Sequence, residues 1–249
     1  MSGPALQGVF RSLRLYYGDP ARQTAMDALY ARFVKPGNLV FDIGAHVGDR
    51  VSSFRRLGAR VIAVEPQPAP ARALRLIHRG DRSVEVLQAA VADRPGTLTL
   101  LVNRANPTVS TASDAFVAAA AGAAGWEGQT WDGALTVEAT TLDALVARFG
   151  APAFVKIDVE GFEDRVLAGL THPLPALSFE FTTIARAVAL RCIARLSALG
   201  DYRFNLAIGE SQKLNEAEPV GAASMAALLS TLPHEVNSGD VYATLTSEK

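Results

Sequence analysis

Charged residues within an apolar strand are the feature of this sequence best suited to chemistry. Residues 153–163 read Ala-Phe-Val-Lys-Ile-Asp-Val-Glu-Gly-Phe-Glu, and side-chain alternation along a strand would place Lys156, Asp158 and Glu160 on one side. A buried lysine without a partner is costly, so we expect an acidic partner for Lys156. Such carboxylates could accept a proton from a substrate, although a structural lysine–aspartate pair would give the same pattern.

A further carboxylate, Glu180, follows in the next apolar strand, Leu177–Phe181. If this strand lies beside the one that contains Lys156, Glu180 joins the same group of charges; otherwise it pairs with a base such as Arg186. Hard oxygen ligands suit magnesium, so a divalent ion could bind the three carboxylates. No ligand spacing in the sequence requires a metal, however.

The stretch Val40–Asp49 has the layout of a nucleotide site. An apolar run leads to Asp42 at its carboxyl end, and Gly44 and Gly48 then allow the backbone to turn sharply into a helix and to approach a ligand closely. A plain strand-to-helix turn would explain the glycines. It would not explain the acid that precedes them.

A second apolar strand, Arg60–Glu65, also ends in an acid, about 20 residues beyond the first glycine. A right-handed crossover places the carboxyl ends of two such strands side by side, so Asp42 and Glu65 should face one crevice. A carboxylate at the position of Glu65 could accept hydrogen bonds from both hydroxyls of a ribose.

The glycine spacing separates classes of nucleotide-binding protein. The Gly-x-Gly-x-x-Gly motif of dinucleotide oxidoreductases would need glycines where His46 and Asp49 stand, and no Gly-Lys-Ser or Gly-Lys-Thr of a P-loop is present. Acid-x-Gly-x-x-x-Gly, with a second acid at the end of the next strand, instead resembles the S-adenosylmethionine site of Rossmann-like methyltransferases.

Composition limits the kind of protein and partner. A chain of 249 residues that is 49% hydrophobic can bury one large core, so we expect a single domain over residues 1–249. A net charge of -1 favours a small-molecule partner over nucleic acid or an anionic membrane. Cys192 is the sole cysteine and is expected to be buried, which suits a cytoplasmic location, and no apolar run is long enough to span a bilayer.

The remaining pattern alternates strands with helices, as expected of an α/β protein. Residues 1–35 form a predicted helical lead-in, in which Tyr16 and Tyr17 pack into the core or contact a ligand. Arg50 lies on a face of its helix that we expect to be solvated, and a later helix is predicted to start near Ala71 after several prolines.

Residues 94–150 break this alternation and are interpreted as an insertion that contributes to the substrate site. Exposed strands are predicted around Thr97–Val102 and Thr136–Ala139, and the chain between them is rich in alanine, glycine and serine. Its tryptophans, Trp126 and Trp131, are expected to pack the insertion onto the body of the protein rather than to bind substrate.

Together, Val40–Asp49, Val64–Pro66 and Phe154–Glu163, with the ending Ser238–Ala243, resemble the FkbM family of methyltransferases. The resemblance implies a Rossmann-like class I methyltransferase fold, with a seven-stranded, mostly parallel sheet flanked by helices on both faces. It also implies S-adenosyl-L-methionine as methyl donor and, usually, transfer to a hydroxyl of a sugar or natural product. His46 departs from the asparagine common in the family, so it could contact the donor, orient substrate or cap the helix.

This resemblance implies roles for particular residues. Asp42 and Gly44 would hold the amino-acid end of the donor, Glu65 its ribose, and Ala90–Val91 its adenine. The full predicted donor-binding set is Asp42, Gly44, Ala45, Gly48, Glu65, Pro66, Ala90 and Val91.

The predicted catalytic set is Asp158, Lys156, Glu160, His46 and Glu180. Asp158 is the first candidate for the base that takes the proton of the acceptor, Lys156 would orient it, and the other three are rivals for the base. Two alternatives remain open: a nucleotide-binding or regulatory protein that no longer transfers methyl groups, and a polyamine-synthase-like transfer on the same fold.

Overall fold

The computed structural model describes residues 3–246, so the first two residues of the predicted lead-in and the last three of the predicted domain lie outside it. The helices are α1 Gly3–Tyr17, α2 Pro20–Tyr30, α3 Asp49–Arg56, α4 Pro68–Ile77, α5 Asp114–Ala120, α6 Leu142–Phe149, α7 Glu163–Ala168, α8 Arg186–Leu199 and α9 Ala222–Thr231. The strands are β1 Leu39–Ile43, β2 Arg60–Val64, β3 Val84–Leu87, β4 Ala90–Val91, β5 Gly96–Val102, β6 Gly133–Thr140, β7 Phe154–Ile157, β8 Ala176–Thr182, β9 Tyr202–Ile208 and β10 Ser238–Leu245. Single 3₁₀ turns lie at Pro107–Val109 and His234–Val236.

A seven-stranded sheet in the order β3-β2-β1-β7-β8-β10-β9 forms the centre of the protein. Its strands are parallel except for β10, which runs antiparallel to both β8 and β9. This confirms the predicted mostly parallel sheet. Strands β1 to β3 follow one another outward on one side, and β7 to β10 lie on the other, with β10 between β8 and β9, so the strand order reverses between β1 and β7. In such sheets, the crevice at the carboxyl ends of the two strands at the reversal is the usual ligand site.

Helices cover both faces of this sheet, which explains why the central strands are continuous apolar runs. Alternate residues of one strand enter different cores: Phe41 and Val155 belong to one buried cluster, whereas their chain neighbours Val40 and Phe154 belong to another. Cys192 of α8 is fully buried in the first of these clusters, as expected. Within residues 3–246, no helix is both long enough and apolar enough to cross a lipid bilayer.

A second, three-stranded sheet in the order β4-β6-β5 joins two strands of the predicted insertion, β5 and β6, to the short strand β4 that precedes it. Both strands predicted within residues 94–150 are present and form an antiparallel pair. Between them, Phe116, Trp126 and Val109 form a small buried cluster, against which Trp131 packs. Ile184 and Ala185, which lie outside the insertion, pack against the same cluster, so the tryptophans join the insertion to the body of the protein as predicted.

The predicted lead-in is helical, but it consists of two helices. α1 ends at Tyr17, and Asp19 caps α2 because its Oδ1 accepts hydrogen bonds from the backbone N–H groups of Ala21 and Arg22. α4 begins at Pro68 rather than near the predicted Ala71, since a proline fits the first turn of a helix, where its missing N–H would have no partner.

The prediction that Arg50 is solvated is wrong. Arg50 is only 9% exposed, and its guanidinium contacts Asp49 Oδ2 at 2.7 Å and Glu210 Oε1 at 3.1 Å. Glu210 follows β9 and lies far from Arg50 in sequence, so no local pattern reveals this partner. Burial by itself would lower the pKa of Arg50, but the two carboxylates outweigh it and raise that pKa well above its usual value.

Gly44 and Gly37 form a matched pair for testing the close approach of the β1 and β7 loops. Both have φ of +82°, but a Cβ added at Gly44 would lie 1.8 Å from the carbonyl oxygen of Asp158, whereas a Cβ at Gly37 would meet nothing within 4 Å. We expect Gly37→Ala to lower the free energy of unfolding by roughly 1–2 kcal/mol, the cost of a left-handed backbone. Gly44→Ala should cost about 2 kcal/mol more, because the added methyl overpacks the loop. Urea denaturation measures both values, and equal losses would contradict the close approach.

Candidate active site

Two adjoining cavities lie at the carboxyl ends of the central strands. We call the first the Glu65 cavity; it encloses about 560 Å³. We call the second the Lys156 cavity; it encloses about 920 Å³. The residues that line both cavities are Gly44, His46, Thr108 and Asp158. Groups bound in the two cavities would therefore meet beside Asp158.

The predicted residues divide between these cavities. The predicted donor residues that line the Glu65 cavity are Gly44, Glu65, Pro66, Ala90 and Val91. Asp42 and Ala45 line the Lys156 cavity, together with all the predicted catalytic residues: Lys156, Asp158, Glu160, His46 and Glu180. Gly48 lines neither; it precedes α3 with φ of +84°, and a Cβ there would lie 2.1 Å from Leu74 Cδ1. The expected single crevice is thus a pair of connected cavities, with Asp42 and Glu65 in different members of the pair.

Glu65 is held in place at the end of β2 by two backbone amides. Its Oε1 accepts a hydrogen bond from Gln67 N at 2.8 Å, and its Oε2 accepts one from His46 N at 3.0 Å. The side chain is 3% exposed. Burial raises the pKa of Glu65 to about 7, although the two amide hydrogen bonds oppose this rise. The carboxylate is therefore oriented before any ligand binds.

Asp42 is a buried carboxylate with unused hydrogen-bonding capacity. It is 2% exposed, and its Oδ2 has no hydrogen-bond partner within the described chain. Burial raises the pKa of Asp42 to about 7, an effect that the charge of Lys156, its neighbour across the β1–β7 pairing, partly offsets. A free carboxylate oxygen in the wall of the Lys156 cavity is suited to bind a cationic group.

Lys156 is 1% exposed and has two acidic partners, which confirms the expected pairing. Its Nζ lies 3.1 Å from Asp158 Oδ2 and 2.8 Å from Asp240 Oδ1. Burial would lower the pKa of Lys156, but the two carboxylates outweigh it and raise that pKa well above its usual value. Asp240 of β10 was not among the predicted site residues. The available indication was its place in Ser238–Ala243, a segment on which the family resemblance rests.

Asp158, Glu160 and Glu180 form what we call the carboxylate cluster, in which one oxygen from each side chain lies within 4.8 Å of the others. The predicted convergence is correct, but strand alternation does not cause it, since β7 ends at Ile157. Glu160 instead adopts a left-handed backbone conformation with φ of +56°. The alternative partner of Glu180, Arg186, donates its hydrogen bonds to backbone carbonyls near the end of α9.

Hydrogen bonds to its backbone hold the loop that carries the carboxylate cluster. Glu163 Oε1 accepts hydrogen bonds from Val159 N at 3.0 Å and Gly161 N at 3.2 Å, while Thr111 Oγ1 donates to the carbonyl of Glu160 at 2.6 Å. Glu163 was not among the predicted site residues. Burial and the neighbouring acids raise the pKa values of Glu160 and Glu180 well above the usual range of a glutamate.

His46 lies between the cavities as a neutral side chain. Burial lowers its pKa to about 4. Its Nε2 is 2.9 Å from Ser12 Oγ of α1, its ring meets that of Tyr16 edge-on, and its Nδ1 is buried without a partner in the described chain. His46 does not cap α3, because Gly48 occupies that position. Tyr16 lines the Lys156 cavity, whereas Tyr17 donates a hydrogen bond to the carbonyl of Val47.

The insertion supplies part of each cavity wall. Leu98, Leu100 and Ser110 line the Glu65 cavity, whereas Trp126 lines the Lys156 cavity. Trp126 Nε1 donates a hydrogen bond to Asn237 Oδ1 at 2.9 Å, so this tryptophan both packs the insertion and borders the site.

The strand order, the antiparallel β10 and the paired cavities at the β1–β7 reversal define a Rossmann-like class I methyltransferase fold. Within that class, the family described as the methyltransferase FkbM domain matches residues 42–204. The match extends over more than half of the chain, and the protein belongs to the FkbM methyltransferase family.

The individual proteins to which this chain is similar share low sequence identity with it. The hexuronic acid methyltransferase AglP of Haloferax volcanii is 27% identical over 161 residues, which span 64% of this chain and 61% of that relative. Among solved structures, precorrin-6y C5,15-methyltransferase of Geobacter metallireducens aligns with a TM-score of 0.44 at 13% identity, covering 89% of this chain and 87% of that chain. A SAM-dependent O-methyltransferase of Thermotoga maritima aligns with a TM-score of 0.43 at 10% identity, covering 92% and 66%.

The raised pKa of Glu65 predicts a pH-dependent contribution to stability. Its pKa is about 7 in the folded protein and 4.5 as the ordinary value, so the folded state holds the proton more tightly. This contribution is complete below pH 4.5 and is lost as the pH rises to about 7. The stability difference between Glu65→Gln and the wild type should therefore change by up to about 1.4 kcal/mol per pH unit in that window. Urea unfolding across the range measures it, with the exposed Glu138→Gln as control; a difference that stays constant with pH would contradict the buried carboxyl.

Proposed function

We propose that this protein is an S-adenosylmethionine-dependent methyltransferase that methylates a hydroxyl of a small molecule, with a sugar or a sugar-containing natural product as the acceptor. The observation that carries the proposal is the meeting of the two cavities at Asp158. One cavity has the ribose-type carboxylate Glu65 and apolar walls, and the other has a cluster of carboxylates. Membership of the FkbM family supports the same reaction.

The residues present fit the donor. Asp42 Oδ2, which has no hydrogen-bond partner among the described residues, would accept hydrogen bonds from the donor's ammonium group, beside the close approach at Gly44. Glu65 would bind the ribose hydroxyls, and Ala90 with Val91 would contact the adenine. When bound, S-adenosylmethionine supplies a methyl group whose bond to the positively charged sulfur breaks as the bond to the acceptor oxygen forms.

The chain's own contribution is to hold the acceptor and to take its proton. Asp158 is the proposed base, because it lines both cavities and is half-buried. The ion pair with Lys156 fixes its orientation, and the lysine is itself held by Asp240. Glu160, Glu180 and His46 border the same cavity and would shape the space around the acceptor.

The acceptor class is proposed from the second cavity and from the relative. The Lys156 cavity is lined mostly by polar and charged side chains, which suit a hydroxylated acceptor. The relative AglP is a hexuronic acid methyltransferase, and a sugar acceptor for this chain is proposed on that basis. We further propose that residues 94–150 contribute to acceptor selection as part of a single methyltransferase domain, and that the protein acts in the cytoplasm.

Calorimetric titration with S-adenosylmethionine and S-adenosylhomocysteine tests the donor site. Both should bind, and Glu65→Gln should weaken both by 10-fold or more, because hydrogen bonds to a charged group are worth about 1.5–3 kcal/mol. Glu138→Gln, which changes the same side chain on an exposed part of β6, should bind like the wild type. If neither nucleotide binds, the proposal fails. If both bind but no acceptor in a screen of sugars and polyols with labelled donor is methylated, the protein is a nucleotide-binding relative without transfer activity.

Asp158→Asn tests the base. We expect the rate of methyl transfer in a single turnover to fall by roughly 10²–10⁴-fold, since the amide cannot accept the proton, while donor affinity stays within a few-fold of wild type. The measurement is single-turnover transfer at saturating donor, with donor affinity from calorimetry. A near-normal rate in this variant would remove Asp158 from the chemistry.

A further inference from the structure

The carboxylate cluster contains more carboxyl groups than the described chain has positive charges to pair with them. Lys156 is the ammonium group that contacts it, and that lysine is shared between Asp158 and Asp240. Neither Glu160 nor Glu180 takes part in an ion pair within residues 3–246. A buried carboxylate without a partner is costly, so the arrangement needs a further positive charge or a shared proton.

Glu160 shows this most clearly. It is 6% exposed and lines the Lys156 cavity, yet its side chain forms no hydrogen bond in the described part of the protein. Its contact with Thr111 is made by the backbone carbonyl. Glu180 is similar, because its Oε2 is buried and has no hydrogen-bond partner there. Both side chains therefore offer free oxygen atoms at the cavity wall.

The loop geometry holds these oxygens together without using them. Glu163 and Thr111 bind the backbone on both sides of Glu160, and the left-handed residue Glu160 places its carboxylate next to those of Asp158 and Glu180. The three oxygens lie within 4.8 Å of one another. An octahedral Mg²⁺ with oxygens at about 2.1 Å separates its ligands by roughly 3–4 Å, so only small side-chain movements would complete the site.

We infer that Asp158, Glu160 and Glu180 form a binding site for one divalent cation, Mg²⁺ or Mn²⁺, in the wall of the acceptor cavity. Three carboxylate oxygens are ligands that these hard cations prefer, and the open cavity leaves positions for water or acceptor oxygens. The inference deepens the proposed function and rests on it for the purpose of the ion: the cation would bind the acceptor's oxygens inside a cavity that otherwise repels anionic groups. An acidic sugar is an acceptor of this kind.

Cation binding can be measured without donor or acceptor, so its failure is distinct from failure of the proposed function. The full chain is treated with a chelator, dialysed and titrated with Mn²⁺ at constant ionic strength, with free Mn²⁺ followed by electron paramagnetic resonance. We expect saturation near one Mn²⁺ per chain, displaced by Mg²⁺. Glu160→Gln and Glu180→Gln should each weaken binding by 10-fold or more, whereas Glu138→Gln should match the wild type.

A stability measurement shows that the variants are folded. Mg²⁺ should raise the urea midpoint of the wild type and of Glu138→Gln, because a ligand of the native state shifts the unfolding equilibrium, and should leave both cluster variants unchanged. Without metal, each cluster variant should unfold cooperatively at a urea midpoint equal to or above that of the wild type, since one repelling charge is gone. One folded variant, Glu160→Gln or Glu180→Gln, is enough to test the cation site.

Three results would overturn the inference. The first is no saturable Mn²⁺ binding to the wild type at millimolar concentration. The second is wild-type affinity in a folded cluster variant. The third is a wild-type protein that binds a polyamine such as spermidine but not Mn²⁺, with polyamine binding lost in the cluster variants. The carboxylates would then recognise an amine acceptor.

Discussion

The burial of one ammonium group is the constraint on which the centre of this protein depends. Lys156 is 1% exposed at the point where the strand order reverses, and a lysine there is tolerated only with charged partners. Its partners come from different places: Asp158 follows β7, and Asp240 lies in β10. The antiparallel strand β10 inserts between β8 and β9 and brings the second carboxylate to the lysine. The two ion pairs thereby fix the Lys156 cavity, the loop after β7 and the strand β10 relative to one another.

Lys156 forms ion pairs with Asp158 and Asp240, and the other carboxylates around the cavity form no ion pair with this lysine. Within residues 3–246, Asp42 and Glu180 each have a buried oxygen without a hydrogen-bond partner, and the buried Glu160 side chain forms no ion pair. Arg50, the other buried cation near the cavity, is bound by Asp49 and Glu210. A site with this balance favours positively charged ligands. The donor's ammonium group and a divalent cation are the two cations that the proposed reaction would bring to it.

The two cavities separate two tasks that the reaction imposes. The Glu65 cavity has a preoriented carboxylate and apolar walls, which suit recognition of a nucleoside. The Lys156 cavity has the charged side chains that would act on an acceptor in the proposed reaction. His46, a neutral side chain that lines both cavities, contacts α1 through Ser12. The insertion borders both cavities, so a change in its sequence can alter the shape of the cavities while the central sheet stays intact.

The sequence by itself determined the strands, the glycine turn, the acids at strand ends and the family, because these depend on local periodicity and on motifs within short segments. It also indicated that Lys156 needs an acidic partner. Only the tertiary structure decided that Asp240 is one of those partners, that Glu210 helps to bury Arg50, and that Glu160 joins the cluster through a left-handed backbone. These contacts join residues far apart in the chain, or depend on a turn past the end of a strand, so no local pattern encodes them.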